Sequence, residues 1–509
     1  MKMQNKSVKL LLLTTALALV LGACGNNGNN ESGSSSSPAA SSEGASASSE
    51  KTVELVWHYP QPQAQAGLKE VEAAVNEITK AKINATIKLE PYDFGDYEQK
   101  LNTAVAGGEK FDIAWTSNWS FNYVQNAQKG AFIALDELLD QHGPELKASM
   151  PSFVWDAATV DGKIYAVPNY QTVTNRVGFS IQQRYLDQYP LDLSTLKQLE
   201  DIAPYLETLK QAEPKEFPFL LGKDGAFNST LYQSGLEQID VGIGTGIGIR
   251  KDEPGKIISL FATDEYQSHI NLMRDWYKKG YIKSDVVSAK NLHELQQQGK
   301  FPVTFGLSMP PGVETSIKNS NGGHDVQVAL LTESYVGTNS IITTLNAINR
   351  SSANPEKAMQ FINLLNTDAE LFNLISYGIE GTHYTKVDDR TIKINDAGGY
   401  APNSAWVYGN TFNGYLLEGQ SAEVFEATKH ENENANPSPL MGFTLDTQSI
   451  LTEIAVVKGV RDEYEPLFVT GSIDAAGKYE EFLAKLEKAG LPKIIEEAQK
   501  QLDAWNASK

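Results

Sequence analysis

One cysteine, Cys24, occurs in 509 residues, so the chain can form no internal disulfide and offers no set of thiolate metal ligands. Histidine is scarce too, at seven; His293-Glu294 lacks the second histidine of an HExxH helix and no EF-hand spacing occurs, so neither metal nor cofactor is indicated. No GxSxG elbow is present to carry a serine nucleophile. After residues 10–21, no apolar run approaches the 18 residues that a membrane crossing needs. Positive charge is the scarcer sign, 43 Lys and Arg against 63 Asp and Glu, for a formal charge of −20. So acidic a surface repels phosphate backbones and anionic headgroups, which excludes nucleic acid as a partner and favours a neutral or cationic ligand.

What is present begins with an address. Lys2, Lys6 and Lys9 precede an apolar stretch from Leu10 to Leu21, the pattern of a secretory signal too short to remain as a spanning helix. Leu21-Gly22-Ala23-Cys24 resembles the bacterial lipobox, in which the cysteine is diacylated and residues 1–23 are removed. The expected mature chain starts at a palmitate-bearing Cys24, has no free thiol left as a nucleophile, and carries a formal charge of −23 once the three lysines are gone. Two acyl chains suffice for stable anchoring where one does not. Residues 25–50 are Asn, Gly, Ser, Ala and Glu with almost nothing to bury, a flexible leash of roughly 30 Å typical span.

From Lys51 onward the composition is that of a globular chain long enough for two or three cores. Val53 to Trp57 reads as a strand, about 64–82 as a helix, 85–90 as a strand, about 97–106 as a helix ended by Gly107-Gly108, and 111–114 as a third strand. Strand and helix alternating at this spacing predict a parallel sheet covered by helices, with ligands outside the carboxyl ends of its strands. After Pro168 the chain predicts a second α/β lobe: strands at 176–181, 218–221, 302–306 and 326–332, a helix over 194–210 capped by Ser194, and another over 263–279 stopped by Gly280. A helix from Pro355 returns to the first lobe, and Leu491, Ile494, Ile495, Ala498, Leu502 and Trp505 share one face of a terminal helix docked on a lobe.

Gly108 to Trp115 resembles the Gly-x-x-Pro-Asp-Ile/Val stretch of extracellular solute-binding proteins of ABC importers, with Phe111 where proline is usual, and Asp161 to Pro168 is similar to their DGKIYAVP segment. The resemblance spans roughly residues 52–380; Tyr377 to Tyr384 and the tail from Pro437 to Trp505 resemble the C-terminal domain of a lipoprotein subgroup associated with oligosaccharide uptake in Gram-positive bacteria. It implies a periplasmic-binding-protein-like α/β fold, two lobes joined by a hinge around a ligand cleft. It also implies a monomer held to the outer face of the cell membrane by its lipid, passing a sugar to the permease subunits. The implied division is residues 51–170 with about 340–380 as the first lobe, 171–335 as the second, and 381–509 completing both, with crossings near 170–178 and 333–342 and a further one after 380.

A sugar presents an apolar face and a rim of hydroxyls, so its site needs aromatic platforms beside hydrogen-bonding groups. Such mixtures follow two expected strands: His58 and Tyr59 after the first, and Trp115, Asn118 and Trp119 after the third. Trp57, still within its strand, is assigned to the core. Asn169, Tyr170 and Arg176 follow the family segment, although an ion pair with an acidic residue is favoured for Arg176. Tyr335, Tyr377, Glu380, Trp406 and Tyr408 complete the candidates, with structural roles equally open; Phe305 and Met309 are assigned to packing. The alternating glycines Gly242, Gly244, Gly246 and Gly248 match neither GxGxxG nor a P-loop and read as a loop or hairpin. Two rivals stay open: an anchored glycan-degrading enzyme, for which two carboxylates in a cleft would suffice, and a sugar receptor serving a sensor kinase.

Overall fold

The computed structural model describes residues 51–62 and 64–508; the expected signal peptide, Cys24 and the polar segment after it lie outside the described residues. Buried apolar side chains form three clusters. One draws on residues 55–173 and 336–408, a second on 227–270 and 440–502, and a third on 179–329. The first is the core of one lobe, and the other two fill the opposite lobe.

The first lobe is built on a five-stranded sheet in the order 85–92, 53–60, 113–116, 345–348, 166–168. Its first three strands are parallel, as the strand and helix alternation predicts, whereas Leu345–Ile348 runs antiparallel to both its neighbours. The first strand is longer than expected and runs to Pro60, in register with Ala85–Tyr92 to its end. Alternation then turns Trp57 and Tyr59 to one face, against Phe361 and Tyr408, and His58 to the other, against Phe111.

The second lobe has Gly178–Gln182 flanked antiparallel by Val303–Gly306 and Val326–Leu330, plus a small antiparallel sheet of Leu236–Gln238, Ile247–Arg250 and Glu253–Ser259. Two expected elements differ. Residues 218–221 make an isolated bridge, Phe219 to Val303, and no strand. Residues 194–210 break into 3-10 turns at Leu193–Thr195 and Leu199–Ile202 before the helix Ala203–Ala212. Asp192, accepting from the Ser194 N–H, caps the first turn, and Pro204 is tolerated only in the first turn of the helix. Asp264–Lys279 follows its signals: the Thr263 hydroxyl accepts from the Tyr266 N–H, and Gly280 closes the helix at φ 74°. Helices Leu451–Val469, Lys478–Lys488 and Leu491–Ala507 contribute about half of the second cluster, including Val457, Phe468, Phe482, Ile494 and Leu502.

Where the chain passes between clusters, Thr174–Asn175, Tyr335–Val336 and Asn436–Pro437 pair as a three-stranded hinge. Carboxylates from outside the strands tie it together. Glu431 accepts from Arg176 at 2.7 Å and Thr174 at 2.9 Å, and Glu237 accepts from the hydroxyls of Tyr335 and Ser438. Burial holds the Glu237 carboxyl above its usual range.

Candidate functional site

A cleft of ≈ 480 Å³ lies between the lobes. The first lobe supplies Asn118, Trp119 and Thr343 to its wall, and the second supplies Phe227, Tyr232, Phe261 and the glycine run. Asn118 and Trp119 follow the carboxyl end of Ile113–Thr116, on the sheet edge where ligands of such sheets bind. A tight loop fixes them: the Ser117 hydroxyl accepts from the N–H groups of Trp119 and Ser120, and buried Phe121 takes φ 45°.

Trp119 is 45% exposed although it is one of the largest apolar side chains in the molecule. Its indole N–H donates to the Thr343 carbonyl at 3.0 Å, which sets the ring plane. Phe94 stacks near-parallel to both Trp119 and Trp406, at 6.2 and 5.7 Å between ring centres, and Trp115 meets both tryptophans edge-on from the core side. Beside this aromatic cluster, the Asn118 amide N–H donates to the Asn339 carbonyl, while its buried Oδ1 has no partner among the described residues.

The remainder of the wall is rich in neutral hydrogen-bonding groups: Asn175, Asn228, Gln238, Asn339, Ser340 and Thr343. Its cations are matched by carboxylates. Arg461 pairs with Glu465 one turn along the same helix, and Lys458 lies 3.3 Å from Asp462. Burial raises the Glu465 carboxyl above its usual range. Asp224, exposed at the rim, adds a further negative charge. Such a lining suits uncharged polyols and gives an anion no unpaired cation.

The other sequence candidates have different places. Tyr59, Trp115 and Tyr408 are fully buried in the first core. Asn169 lies beneath the cleft in a polar network: its amide donates to the Val407 carbonyl and accepts from Asn346, which also accepts from the Trp57 indole. A buried network with its partners in place is a structural requirement of the lobe. His58 is buried against Tyr92 and Phe111, outside the cleft wall, and burial lowers its pKa. Tyr170 packs edge-on against Phe412. Arg176 and Tyr335 are spent on the hinge, Tyr335 with the Lys251 ammonium 3.7 Å above its ring. Tyr377 donates to the Tyr415 carbonyl and Glu380 pairs with Lys386; neither lines the cleft. The structure thus brings Asn118 and Trp119 to the cleft wall, packs Trp406 and the buried Trp115 behind Trp119, and distributes the others to the core, the hinge and the outer surface.

Sequence reasoning missed Phe94 and the second lobe's share. Phe94 begins the helix after the second strand, so the strand-end rule that found Trp119 applies to it equally. Phe227, Tyr232, Arg461 and Glu465 lie on helices whose local pattern carries no ligand signal.

Among the described residues, no helix is long and apolar enough to cross a membrane and no cluster of side chains could hold a metal ion. A family model described as bacterial extracellular solute-binding protein matches residues 73–379, and a domain of unknown function matches residues 439–507. The chain is 30% identical over 503 residues, 97% of each chain, to a carbohydrate ABC transporter substrate-binding protein of Streptococcus pneumoniae serotype 4. It is 25% identical over 370 residues to the polygalacturonan/rhamnogalacturonan-binding protein YtcQ of Bacillus subtilis, covering 68% of this chain and 69% of that one. Among solved structures, the N-glycan transport solute binding protein NgtS of Streptococcus pneumoniae superposes with a TM-score of 0.79 at 26% identity, over 89% of this chain and 98% of the other. Its complex with Man5GlcNAc gives 0.73 at 25% identity, over 90% and 99%.

Proposed function

This chain belongs to the family of bacterial extracellular solute-binding proteins, and we propose that it captures a neutral oligosaccharide between its lobes and delivers it to the permease of an ABC importer. It is the carbohydrate-binding component of such a transporter by kinship over 97% of its length; the neutral, oligomeric character of the ligand is inferred from the cleft. The observation that carries this reading is the half-exposed Trp119 ring, backed by Phe94 and Trp406, in a cleft otherwise lined by amides and hydroxyls. Rings of that kind stack on the apolar faces of successive sugars while the amides take their hydroxyls. Closure of the lobes follows from the ligand touching both only when they approach, which shifts the population toward the closed form.

Binding without turnover is part of the proposal, as is tethering through an acylated Cys24 on the outer face of the membrane, supported by the Leu21 to Cys24 motif. Calorimetric titration with neutral mannose-containing and glucose-containing oligosaccharides, oligogalacturonates and short peptides tests the ligand class. Saturable binding confined to neutral glycans is expected. Binding of oligogalacturonates alone overturns the neutral assignment, and release of shorter sugars from a labelled glycan overturns the receptor role.

A further inference from the structure

The alternating glycines that matched no nucleotide motif have a place in the cleft. Asp240 organises the run: its carboxylate accepts from the Thr245 N–H at 2.5 Å, the Thr245 hydroxyl at 2.6 Å and the Gly246 N–H at 3.0 Å, and its carbonyl accepts from the N–H groups of Ile243 and Gly244. The Arg461 guanidinium backs the loop, donating to the Gly244 carbonyl. The loop is thereby rigid and presents backbone to the cleft at Gly242, Gly244 and Gly246.

Gly242, at the exposed tip with φ 78°, meets the other lobe. A Cβ placed there would lie 1.8 Å from the Asn118 carbonyl oxygen and 3.1 Å from the Trp119 Cα. Neither side can retreat. The Asn118 carbonyl accepts from the Asn122 amide at 2.9 Å, and the Asn118 N–H donates to the Ile342 carbonyl at 2.9 Å. Opposite it the loop is fixed by Asp240. Next to this contact the Asn339 amide donates to the Gln238 carbonyl at 3.0 Å, a second bridge from beyond the hinge to the second lobe.

We propose that Gly242 is the seat on which the second lobe closes against Asn118, and that the glycine run is the second lobe's positioning element for the ligand held at Trp119. A side chain at 242 holds the lobes apart at the point where the Trp119 ring must face a ligand. This rests on the reading that the cleft binds a glycan, so its test includes a measurement needing none.

Gly235 supplies the control: it has φ 74° but nothing within 4 Å of its added Cβ, so Gly235→Ala carries the same backbone strain without the collision. Small-angle X-ray scattering of the unliganded protein should show Gly242→Ala more extended than the wild type, with Gly235→Ala unchanged. With Man5GlcNAc as the probe, Gly242→Ala should bind about tenfold more weakly, in proportion to the lost fraction of closure-competent molecules, and Gly235→Ala as the wild type does. Wild-type scattering and affinity in Gly242→Ala, or equal losses in both variants, overturn the proposal. Should the wild type not bind Man5GlcNAc, the choice of glycan is at fault and the scattering comparison alone decides the role of Gly242.

Discussion

Trp119 and Trp115 are neighbours with opposite duties, and substitution separates them. Trp115 is fully buried, and its indole N–H donates to the Thr344 hydroxyl at 2.7 Å, so Trp115→Ala would leave a large cavity in the core and remove one hydrogen bond, at a cost of about 3–5 kcal/mol. Trp119, with nearly half of its surface exposed, has less packing to lose than Trp115. Trp119→Ala is expected to weaken glycan binding about thirtyfold, or ~2 kcal/mol, with a change in stability within about 1 kcal/mol. Calorimetry beside a thermal melt checks both numbers; an unchanged affinity would remove Trp119 from the site. The residue scale also shows what a list of residue types cannot decide. His58, Tyr59, Asn118 and Trp119 all sit at or beyond strand ends in the sequence, but three further residues of ladder, His58 to Pro60, were enough to turn the first pair into core.

At the scale of elements, the helix Phe227–Gln233 that carries Phe227 and Tyr232 to the cleft rests on His269 of the helix Asp264–Lys279. His269 is buried beside Thr230 Oγ1 at 3.2 Å and the Phe227 ring, and burial pushes its pKa down to about 3. The unfolded chain takes up a proton at this histidine below about pH 6.5, whereas the folded chain refuses it until about pH 3, so stability is lost as the pH falls through that window. Between pH 6.5 and pH 5 the loss amounts to about 2 kcal/mol. Denaturation midpoints of wild type and His269→Gln at pH 7 and pH 5 test this: the acid-induced drop should shrink in the variant, and an equal drop would assign the acid sensitivity elsewhere. Burial lowers the pKa of His58 and His383 as well, with the same sign, while Glu237 and Glu465 are raised and act oppositely. The comparison within one variant pair isolates His269 from them.

For the whole molecule, the terminal helices are a load on the second lobe's core and also a wall of its cleft, because Leu451–Val469 buries Val457 and Phe468 on one side and presents Lys458, Arg461 and Glu465 to the cleft on another. The C-terminal region is therefore part of the binding lobe and no appendage. The net charge of −20 disfavours anions at long range and the cations of the cleft are already paired, the two observations behind the proposed neutral ligand. Delivery to a permease needs the whole body to stay near the membrane. Cys24→Ser is expected to abolish palmitate labelling and release the protein into the medium, read by fractionating cells; continued retention with the cells would place the anchor elsewhere.

Local sequence was enough for the α/β alternation, the helix bounds set by Thr263, Gly280 and Pro355, and the loop after the third strand, because each depends on residues close together along the chain. Tertiary structure alone decided the antiparallel entry of Leu345–Ile348, the hinge strand at Asn436–Pro437, and the meeting of Phe94, Trp119 and Trp406. It also decided that a glycine at 242 faces Asn118, more than a hundred positions away in the sequence. Those contacts depend on how two lobes pack and approach, and no local propensity or spacing encodes the distance between them.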